Sequence, residues 1–164
     1  MSDLVIHGLY SIKDTFFSEF GKGYWVDNKN EKRPYYYLFR DQDGVCWVIP
    51  MSTQVDNYRR KIKKVEEKRG EGNCVYYHLG KVANIERVFL IGDMFPIDDS
   101  YIKNPFTINR IHYVVKNRKL NDELHSKAMR FIKLVESGAI KSRNDILGIK
   151  KVLANRRTNR DFIV

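Results

Sequence analysis

The chain of 164 residues is 43% hydrophobic and 30% charged, a balance that is typical of one soluble globular domain spanning residues 1–164. No apolar stretch approaches the ~20 residues needed to span a bilayer, so the sequence predicts no membrane helix. Thirty lysines and arginines against twenty acidic residues give a formal net charge of +10, and 13% of the residues are aromatic. Because cationic groups contact phosphates and aromatic rings stack on unpaired bases, this composition favours single-stranded or irregular RNA over duplex DNA as a partner.

The cysteines and histidines give no local support for a metal site or a cofactor. Cys46 and Cys74 are the only cysteines and form no CxxC pair, so we expect reduced, buried thiols. The four histidines lie far apart in the sequence, at His7, His78, His112 and His125. The N-terminal segment MSDLVIHGLYSIKD lacks the layout of a signal peptide, and we expect a cytoplasmic protein without a membrane partner.

Aromatic and β-branched residues predict that the first part of the chain forms strands. Pro34–Arg40 (PYYYLFR) and Val45–Ile49 (VCWVI) are joined by the loop DQDG, and two strands joined by a short loop with glycine are a hairpin signal. Upstream, Tyr24–Val26 is either another strand or a packed loop. Side chains alternate along strands, so about half of the strand tyrosines should face the core while the others could stack on bases. These tyrosines are Tyr35, Tyr36, Tyr37, Tyr76 and Tyr77.

A second hairpin is predicted from Asn73–Leu79 (NCVYYHL) and Glu86–Ile91 (ERVFLI), with Gly80 and Asn84 in its turn region. Between the two hairpins, Gln54–Glu71 is either a short amphipathic helix or a basic arm, because apolar residues recur in it at helical spacing. Those apolar residues are Val55, Tyr58, Ile62 and Val65.

The C-terminal part predicts two helices. Asn121–Glu123 can cap the first helix, and Gly138 ends it. Its apolar stripe consists of Leu124, Ala128, Phe131, Ile132 and Val135. Ser142 or Asn144 can cap the second helix. The predicted buried side of that helix consists of Ile146, Leu147, Ile149, Val152 and Leu153. Strands first and helices last predict an α+β fold.

The segment VIPMSTQ places two adjacent hydroxyl residues, Ser52 and Thr53, after a predicted strand and before a dense basic segment. A serine or threonine in front of an amphipathic helix is most often an N-cap. Hydroxyls and the N–H groups of a helix start also donate to phosphate oxygens, and neighbouring cations neutralise the phosphate charge. The pair is therefore a candidate phosphate site, with helix capping as the alternative.

A phosphate site of this kind can cleave RNA without a metal, because the RNA 2′-OH is itself a nucleophile. The 2′-OH must be held in line with the phosphorus, with donors near the developing charge and an acid for the 5′-oxygen. Arg33 or Lys32, just before the YYY strand, could stabilise the charge. His78 could act as acid or base near neutral pH, although a hydrogen-bonded histidine on the strand surface is the simpler interpretation.

Four segments in this order, RPYYYLFR, VCWVIPMSTQVDNY, YHLGK and VFLIGDMFPIDDSYI, resemble the toxins of type III toxin–antitoxin systems. The similarity is to the ToxN/AbiQ and CptN/TenpN group, most closely to its CptN-like branch, and covers residues 32–102. It implies a metal-independent endoribonuclease whose products end in a 2′,3′-cyclic phosphate and a 5′-OH. It also implies a MazF/Kid-like core, a strongly twisted antiparallel β-sheet with packed helices.

The resemblance also implies an RNA partner that regulates the protein. Toxins of this group cut their own repetitive antitoxin transcript into short pseudoknotted RNAs as well as cutting cellular RNA. The pseudoknots then inhibit the toxin in a closed ring of protein and RNA with two or three protomers. Such systems abort phage infection or maintain plasmids.

The resemblance assigns the active site to the hydroxyl pair and to the basic residue Arg33, next to Lys32. Relatives often carry a lysine within two residues after the hydroxyl pair, where this chain has Gln54 and Val55. The group that transfers the proton is therefore open, and the candidates are Lys61, Lys81 and His78. Asp93–Pro96 is expected to fix a turn after a buried strand.

A wide basic surface is predicted to bind the RNA, although any single lysine of it could instead be an ordinary solvated side chain. It comprises Lys32, Tyr58, Arg59, Arg60, Lys61, Lys63, Lys64, Lys81, Arg156, Arg157 and Arg160. Two other classes of function remain as alternatives. A non-catalytic RNA-binding module would tolerate loss of both hydroxyls, and a DNA-binding regulator would use a C-terminal helix for recognition.

Overall fold

The computed structural model describes residues 4–21 and 23–162, with side chains up to residue 160. In this part of the chain, seven strands form an antiparallel sheet: β1 (Leu9–Ile12), β2 (Tyr35–Arg40), β3 (Cys46–Ser52), β4 (His78–Val82), β5 (Ile85–Phe89), β6 (Phe95–Ile97) and β7 (Ile102–Pro105). A separate ribbon consists of β8 (Thr107–Ile108) and β9 (Ile111–His112). The helices are α1 (Asp14–Glu19), α2 (Val55–Arg69), α3 (Arg118–Glu136) and α4 (Ile146–Phe162). The predicted α+β fold with C-terminal helices is confirmed.

Strand β3 lies in the middle of the sheet and pairs with three other strands. The sheet order is β4-β5-β3-β2-β1-β7, and β6 pairs with β3 off this path. The first half of β3 pairs with β6, whereas Met51 and Ser52 pair with Phe89 and Val88 of β5. All seven residues of β3 are buried. The end of this strand is therefore a rigid support for the residues that follow it.

The first predicted hairpin is confirmed, since β2 and β3 pair in antiparallel register. Its loop contains Gly44 with φ 79°, a left-handed conformation that glycine adopts without steric cost. Tyr24–Val26 is not a strand but a loop in which Trp25 is packed and Tyr24 is exposed. Within it, the Trp25 indole N–H donates to the Phe20 carbonyl at 3.0 Å, and the Trp25 ring packs edge-on against Phe16.

The second hairpin is also present, but its strands are displaced from the predicted ranges. Strand β4 begins only at His78, so the prediction of a strand over Asn73–Leu79 is wrong for its first five residues. Gly80 lies inside β4 rather than in the turn, which is made by Ala83 and Asn84 with φ values of 52° and 64°. Two left-handed turn residues match the twist of the paired strands, and they fix the register.

All three tyrosines of β2 are buried, so the expectation that half of such tyrosines reach solvent is wrong for them. Both faces of β2 are covered. On one face, the Tyr35 hydroxyl donates to the Asn28 side-chain oxygen at 2.9 Å. On the other face, the Tyr36 hydroxyl donates to the Asn121 side-chain oxygen of α3 at 2.7 Å. Alternation sorts side chains between faces, but it does not say whether one face is solvated.

Of the two alternatives predicted for Gln54–Glu71, the helix is confirmed, since the segment contains α2. Its C-cap is Gly70, with φ 97°. No residue of α2 is buried, and its charged residues project into solvent on several sides. The helix therefore lies on the surface of the sheet directly after the hydroxyl pair.

The two C-terminal helices are present, but their caps differ from the predictions. Helix α3 begins at Arg118, and its cap is Asn117, whose side-chain oxygen accepts from the Leu120 N–H at 3.1 Å. At the start of α4, the Asp145 carboxylate accepts from the Gly148 N–H at 3.0 Å. On α4 the residues Ile146, Ile149 and Leu153 are buried, whereas Leu147 and Val152 are exposed. Among the helices of the described part, none is long and apolar enough to cross a membrane.

Candidate functional site

The end of β3 opens into a cavity of about 260 Å³. Its wall includes both hydroxyl residues, Ser52 and Thr53, together with Arg33. Three of the four predicted catalytic residues therefore share one cavity. Two further cationic residues, Lys29 and Arg87, also line it. The rest of the wall is apolar and consists of Leu9, Pro34, Met51, Val82, Ala83, Ile85, Phe106 and Ile108.

Arg33 is a buried guanidinium with only 8% of its surface exposed. Its Nε donates to the Asp27 carbonyl at 2.6 Å, and its Nη1 donates to the Met51 carbonyl at 2.5 Å. Within the described residues, no carboxylate forms an ion pair with it and Nη2 has no partner. Because a buried charge is stabilised by an opposite charge, this arrangement favours binding of an anion.

The two hydroxyl side chains are available to a ligand. Ser52 is buried, and its Oγ accepts a hydrogen bond from the Gln54 N–H at 3.1 Å, which leaves the hydroxyl hydrogen free to donate. Thr53 is exposed, and its hydroxyl makes no hydrogen bond to any residue that the structure describes. The N-cap of α2 is Gln54, with no side-chain capping bond. The capping alternative therefore does not explain Thr53.

Lys29 reaches the cavity from a tight turn that precedes Arg33. Residues 29–31 all have left-handed backbone conformations, with φ values of 51°, 56° and 65°. Asn28 anchors the start of this turn, since its side-chain amide donates to the Ile12 carbonyl at 2.9 Å. Sequence reasoning missed Lys29, although the polar segment DNKNEK directly before Arg33 indicated a turn whose cations lie near it.

Arg87 reaches the cavity from β5, and no local sequence signal marks it. Its position follows from the antiparallel pairing of Ser52 with Val88, which places Arg87, the residue before Val88, beside the end of β3. Lys61 and Lys81 were candidates for the lysine that relatives carry after the hydroxyl pair, but neither lines this cavity. Lys29 and Arg87 are the additional cations that the fold brings there.

The structure does not bring His78 to the wall of this cavity. Its Nδ1 lies 2.9 Å from the Lys127 ammonium nitrogen, and its Nε2 lies 2.9 Å from the Glu123 carboxylate. Because an ammonium only donates, Nδ1 accepts and Nε2–H donates to Glu123. Burial lowers the pKa of His78, and the charge of Lys127 lowers it further. This geometry favours the structural interpretation, and a catalytic role for His78 remains an untested prediction.

Part of the predicted RNA-binding surface gathers at a second cavity of about 420 Å³. Lys61 and Lys64 of α2 line it together with Tyr77. Tyr58 packs against Tyr77 beside this cavity, with ring centroids 4.7 Å apart. Aromatic rings and ammonium groups thus lie next to each other, as in sites that bind unpaired bases.

Other residues of the predicted surface are simply exposed or are paired with acidic groups. Arg59 forms ion pairs with Asp56 and Glu86, so part of its charge is already compensated. The exposed residues without ion pairs in the described part of the chain are Lys32, Arg60, Lys63 and Lys81.

The C-terminal arginines hold α4 on the rest of the protein. Arg157 and Arg160 donate to the buried carboxylate of Asp98, at 3.3 Å and 3.0 Å. Arg156 pairs with Glu19 at 2.9 Å. Burial alone would raise the pKa of Asp98, but hydrogen bonds from Ser100 and Arg160 outweigh it and lower the pKa to about 2. The RNA-binding role of these arginines stays a prediction, and the contacts indicate a structural one.

The side chains that line the first cavity suit a phosphate group. It offers two hydroxyl donors and three cationic side chains around a partly apolar wall. Such groups bind a phosphodiester and stabilise the extra negative charge of a five-coordinate phosphorus. Within residues 4–21 and 23–162, no group of three or more His, Cys, Asp and Glu side chains is arranged to hold a metal ion.

Solved structures with the same overall fold exist. The chain matches AbiQ, a lactococcal anti-phage endoribonuclease of a type III toxin–antitoxin system, with a TM-score of 0.66 and 11% identity over 92% of this chain and 97% of AbiQ. It also matches a chain from a bacterial antiviral system that a processed non-coding RNA regulates, with a TM-score of 0.58 and 10% identity over 87% and 94% of the two chains. No protein-family model and no curated protein sequence matches. The predicted resemblance to the ToxN/AbiQ group is confirmed as a likeness of fold.

Proposed function

We propose that this chain is an endoribonuclease toxin of a type III toxin–antitoxin system that cleaves RNA without a metal. The observation that carries the proposal is the meeting of Ser52, Thr53 and Arg33 in one cationic cavity. The comparison with solved structures adds support, because the fold resembles that of an anti-phage endoribonuclease. Fold alone does not determine activity, so the cavity is the main argument.

The proposed reaction is a transesterification within the RNA. The 2′-oxygen releases its proton to water and attacks the adjacent phosphorus, while the bond from phosphorus to the 5′-oxygen breaks. The 5′-oxygen takes up a proton, and the products are a 2′,3′-cyclic phosphate and a 5′-OH. Ser52 and Thr53 donate to the phosphate oxygens and hold the phosphorus in line with the 2′-oxygen. Arg33 stabilises the charge of the transition state.

Lys29 and Arg87 complete this cavity in the proposal. Both are long cationic side chains, and they reach it from the turn before Arg33 and from β5. Either one can neutralise a non-bridging oxygen, and the Lys29 ammonium can also protonate the leaving 5′-oxygen. They supply the positive charge for which relatives use a lysine after the hydroxyl pair.

The proposal includes inhibition by an antitoxin RNA as well as cleavage of cellular RNA. The antitoxin is a pseudoknotted repeat that the toxin cuts from a longer transcript, and it holds two or three protomers in a ring. The antiviral system that a processed non-coding RNA regulates supports an RNA of this type. Exposed cations that can contact its backbone are Lys32, Arg60, Lys63 and Lys81.

The test is cleavage of a repeat-containing transcript by the purified chain in EDTA. We expect discrete fragments that end in 2′,3′-cyclic phosphate. The double substitution Ser52→Ala/Thr53→Ala should abolish them, because no hydroxyl donor then remains at the phosphate. Ser126→Ala, which removes an exposed hydroxyl from α3, is the matched control and should cleave normally.

Two outcomes would contradict the proposal. Tight RNA binding without cleavage by the wild-type chain would leave a non-catalytic RNA-binding module. Cleavage that survives the double substitution would show that the phosphate site lies elsewhere. Toxicity on expression in bacteria, relieved by the double substitution but not by Ser126→Ala, would be independent support.

A further inference from the structure

The second cavity contains a carboxylate that the proposed cleavage does not use. Asp93 lies in its wall, on the short 3₁₀ turn Ile91–Asp93 that follows β5. No hydrogen bond or ion pair reaches the Asp93 side chain from any residue that the structure describes, although the residue is half-buried. A carboxylate that has no donor within the protein is available to accept hydrogen bonds from a ligand. The sequence prediction of a structural role for Asp93–Pro96 rests on its apolar residues and proline, and it assigns no role to this carboxylate.

Four cations surround the Asp93 carboxylate without binding it directly. Lys61 and Lys64 come from α2, and Lys141 and Arg143 come from the connection between α3 and α4. Burial raises the pKa of Asp93, while the charges of Arg143 and Lys61 oppose this. The cavity therefore combines one hydrogen-bond acceptor with a clear excess of positive charge, which suits a ligand that is anionic at its periphery and donates hydrogen bonds at its centre.

Aromatic rings supply the third element of this cavity. The rings of Tyr58 and Tyr77 lie with centroids 4.7 Å apart, and the Lys61 ammonium lies 4.7 Å from the Tyr58 centroid. Tyr76, which also lines the cavity, packs against Phe131 at 6.2 Å. At about 420 Å³, the cavity falls in the range of ~300–1,000 Å³ that is usual for small-ligand sites. A flat aromatic ligand would stack on Tyr77, the ring of this pair that lines the cavity.

Among the RNA bases, guanine fits this chemistry best. A carboxylate is a pair of adjacent acceptors, and guanine presents two adjacent donors, N1–H and the N2 amino group. Adenine and cytosine each place a ring acceptor beside their single amino group, and uracil places its one N–H between two carbonyls. Each of these three would bring an acceptor against the carboxylate, which costs binding energy.

We propose that this second cavity binds an unpaired guanine of the bound RNA, with the Asp93 carboxylate accepting hydrogen bonds from N1–H and the N2 amino group. Tyr77, which lines the cavity, stacks on the base and is supported from behind by Tyr58. The surrounding lysines and arginine contact the flanking phosphates. The inference rests on the proposed function in that the ligand is RNA. It adds the residue that gives the protein a base preference.

The two cavities are close enough to hold neighbouring parts of one RNA strand. Helix α2 begins directly after the hydroxyl pair, and Lys61 lies six residues beyond Val55, or about 9 Å along the helix axis. The Arg33 charge also acts on Asp93, where it opposes the rise in pKa that burial causes. A guanine near the cleaved phosphate can thus reach Asp93 while the phosphate contacts Ser52.

The first test measures binding to the wild-type chain by fluorescence anisotropy. The probes are 2′-O-methyl hexanucleotides of uridine with one central position changed to guanine, adenine, cytosine or hypoxanthine. The methyl groups block cleavage, so binding is read without chemistry. We expect the guanine probe to bind about 10- to 100-fold more tightly than the adenine, cytosine and all-uridine probes. Hypoxanthine lacks the N2 amino group and should lose about 10-fold against guanine.

The second test uses the variant Asp93→Asn. This substitution replaces the two acceptor oxygens of the carboxylate with one acceptor oxygen and one donor amino group. Guanine binding should fall by about 10- to 100-fold, while adenine and uracil, whose edges match an amide, should not weaken. Asp122→Asn on an exposed position of α3 is the matched control and should leave the order of affinities unchanged. If Asp93→Asn does not fold, the affinities of the wild-type chain for the guanine and hypoxanthine probes still test the inference, and equal affinities would overturn it.

The outcomes separate this inference from the proposed function. Equal binding of all five probes, or a guanine preference that survives Asp93→Asn, overturns the inference and leaves RNA cleavage untouched. Guanine-selective binding by a chain that cleaves no RNA supports the inference and overturns the catalytic proposal. Competition with GMP tests a free nucleotide as the occupant. We expect GMP to compete at least 100-fold less well than the hexanucleotide, because it lacks the second flanking phosphate, and equal potency would overturn the assignment to RNA.

Discussion

The partners of each arginine decide what its charge can do. Arg33 is held by the carbonyls of Asp27 and Met51, which orient the guanidinium but leave its charge uncompensated. Arg157 instead donates to the carboxylate of Asp98, so its charge is compensated within the protein. The sequence contains both as basic residues near polar segments, and only the structure shows that Arg157 has a carboxylate partner and Arg33 has none.

Lys29 and Arg87 give a prediction for catalysis. Lys29→Ala and Arg87→Ala should each lower the cleavage rate by about 100-fold, because each removes a cation from a cavity that stabilises a developing negative charge. The measurement is single-turnover cleavage of a labelled RNA at saturating protein. Lys116→Ala, at an exposed position outside the cavity, is the control. If both variants cleave at the wild-type rate, the fold brings these cations to the cavity without catalytic consequence.

His78 gives a prediction for the pH dependence of stability. Its pKa is lowered by burial and by Lys127, so the unfolded state binds a proton at a higher pH than the native state does. The contribution of His78 to the free energy of unfolding should therefore be constant above about pH 6.5, the ordinary pKa of histidine. The free energy of unfolding should fall as the pH drops below that value. Urea unfolding between pH 7.5 and 5 measures this dependence.

His78→Gln is the variant that isolates this effect, because glutamine keeps a donor for Glu123 but cannot titrate. The variant should lose part of the pH dependence. The pKa of His7 is also lowered by burial, so a residual slope of the same sign is expected. A variant with the full wild-type slope would show that His78 does not contribute.

At the scale of elements, apolar periodicity predicted the helices well and their caps poorly. The stripe of α3 is correct because Leu124, Ala128 and Phe131 are buried. The predicted cap residue Asn121 instead lies inside the helix, where its side chain bonds to the Tyr36 hydroxyl and to the Val115 carbonyl. An asparagine in sequence does not reveal whether its amide will satisfy its own helix end or a buried group on the sheet.

The docking of α4 gives a prediction for stability. Asp98→Asn should lower the free energy of unfolding by about 2 kcal/mol, because the buried carboxylate accepts charged hydrogen bonds from Arg157 and Arg160. Thermal or urea unfolding measures the change. Asp122→Asn, on the solvent side of α3, is the control and should stay within about 0.5 kcal/mol of wild type. An unchanged midpoint for Asp98→Asn would mean that apolar contacts alone hold α4.

At the scale of the whole molecule, two groups of cationic residues can be distinguished within the chain, whose net charge is +10. One group of cations is paired with acidic residues and stabilises the fold: Arg40, Arg59, Lys103, Lys150, Arg156, Arg157 and Arg160. Another group lines the two cavities: Lys29, Arg33, Lys61, Lys64, Arg87, Lys141 and Arg143. Composition predicted an anionic partner, and the tertiary structure shows which cations are paired and which line cavities.

The salt dependence of RNA binding tests this division. The affinity for a single-stranded probe should fall with salt, with a slope of about 0.7 in log–log units for each phosphate neutralised. Lys64→Ala should reduce the slope by about that amount, because Lys64 lines a cavity and has a free charge. Arg160→Ala should leave the slope unchanged, since its guanidinium already pairs with Asp98. An equal reduction of the slope in both variants would contradict this division and would indicate that Arg160 also contacts the RNA.

The sequence by itself determined the fold class and the place of the hydroxyl pair at the end of a strand, and it predicted a basic partner surface. These follow from local signals: period-2 and helical apolar patterns, turn residues and the adjacency of Ser52 and Thr53. Arg33 was also within reach of the sequence because it directly precedes a predicted strand. Each of these features depends on residues that are neighbours in the chain.

Only the tertiary structure decided which distant residues meet. Lys29 joins the hydroxyl pair through a left-handed turn, and Arg87 joins it through the register of β5 with the end of β3. His78 lies outside that cavity because α3 packs over β4 and offers Lys127 and Glu123 to both ring nitrogens. Register and helix docking depend on contacts far apart in the chain, and no local pattern encodes them.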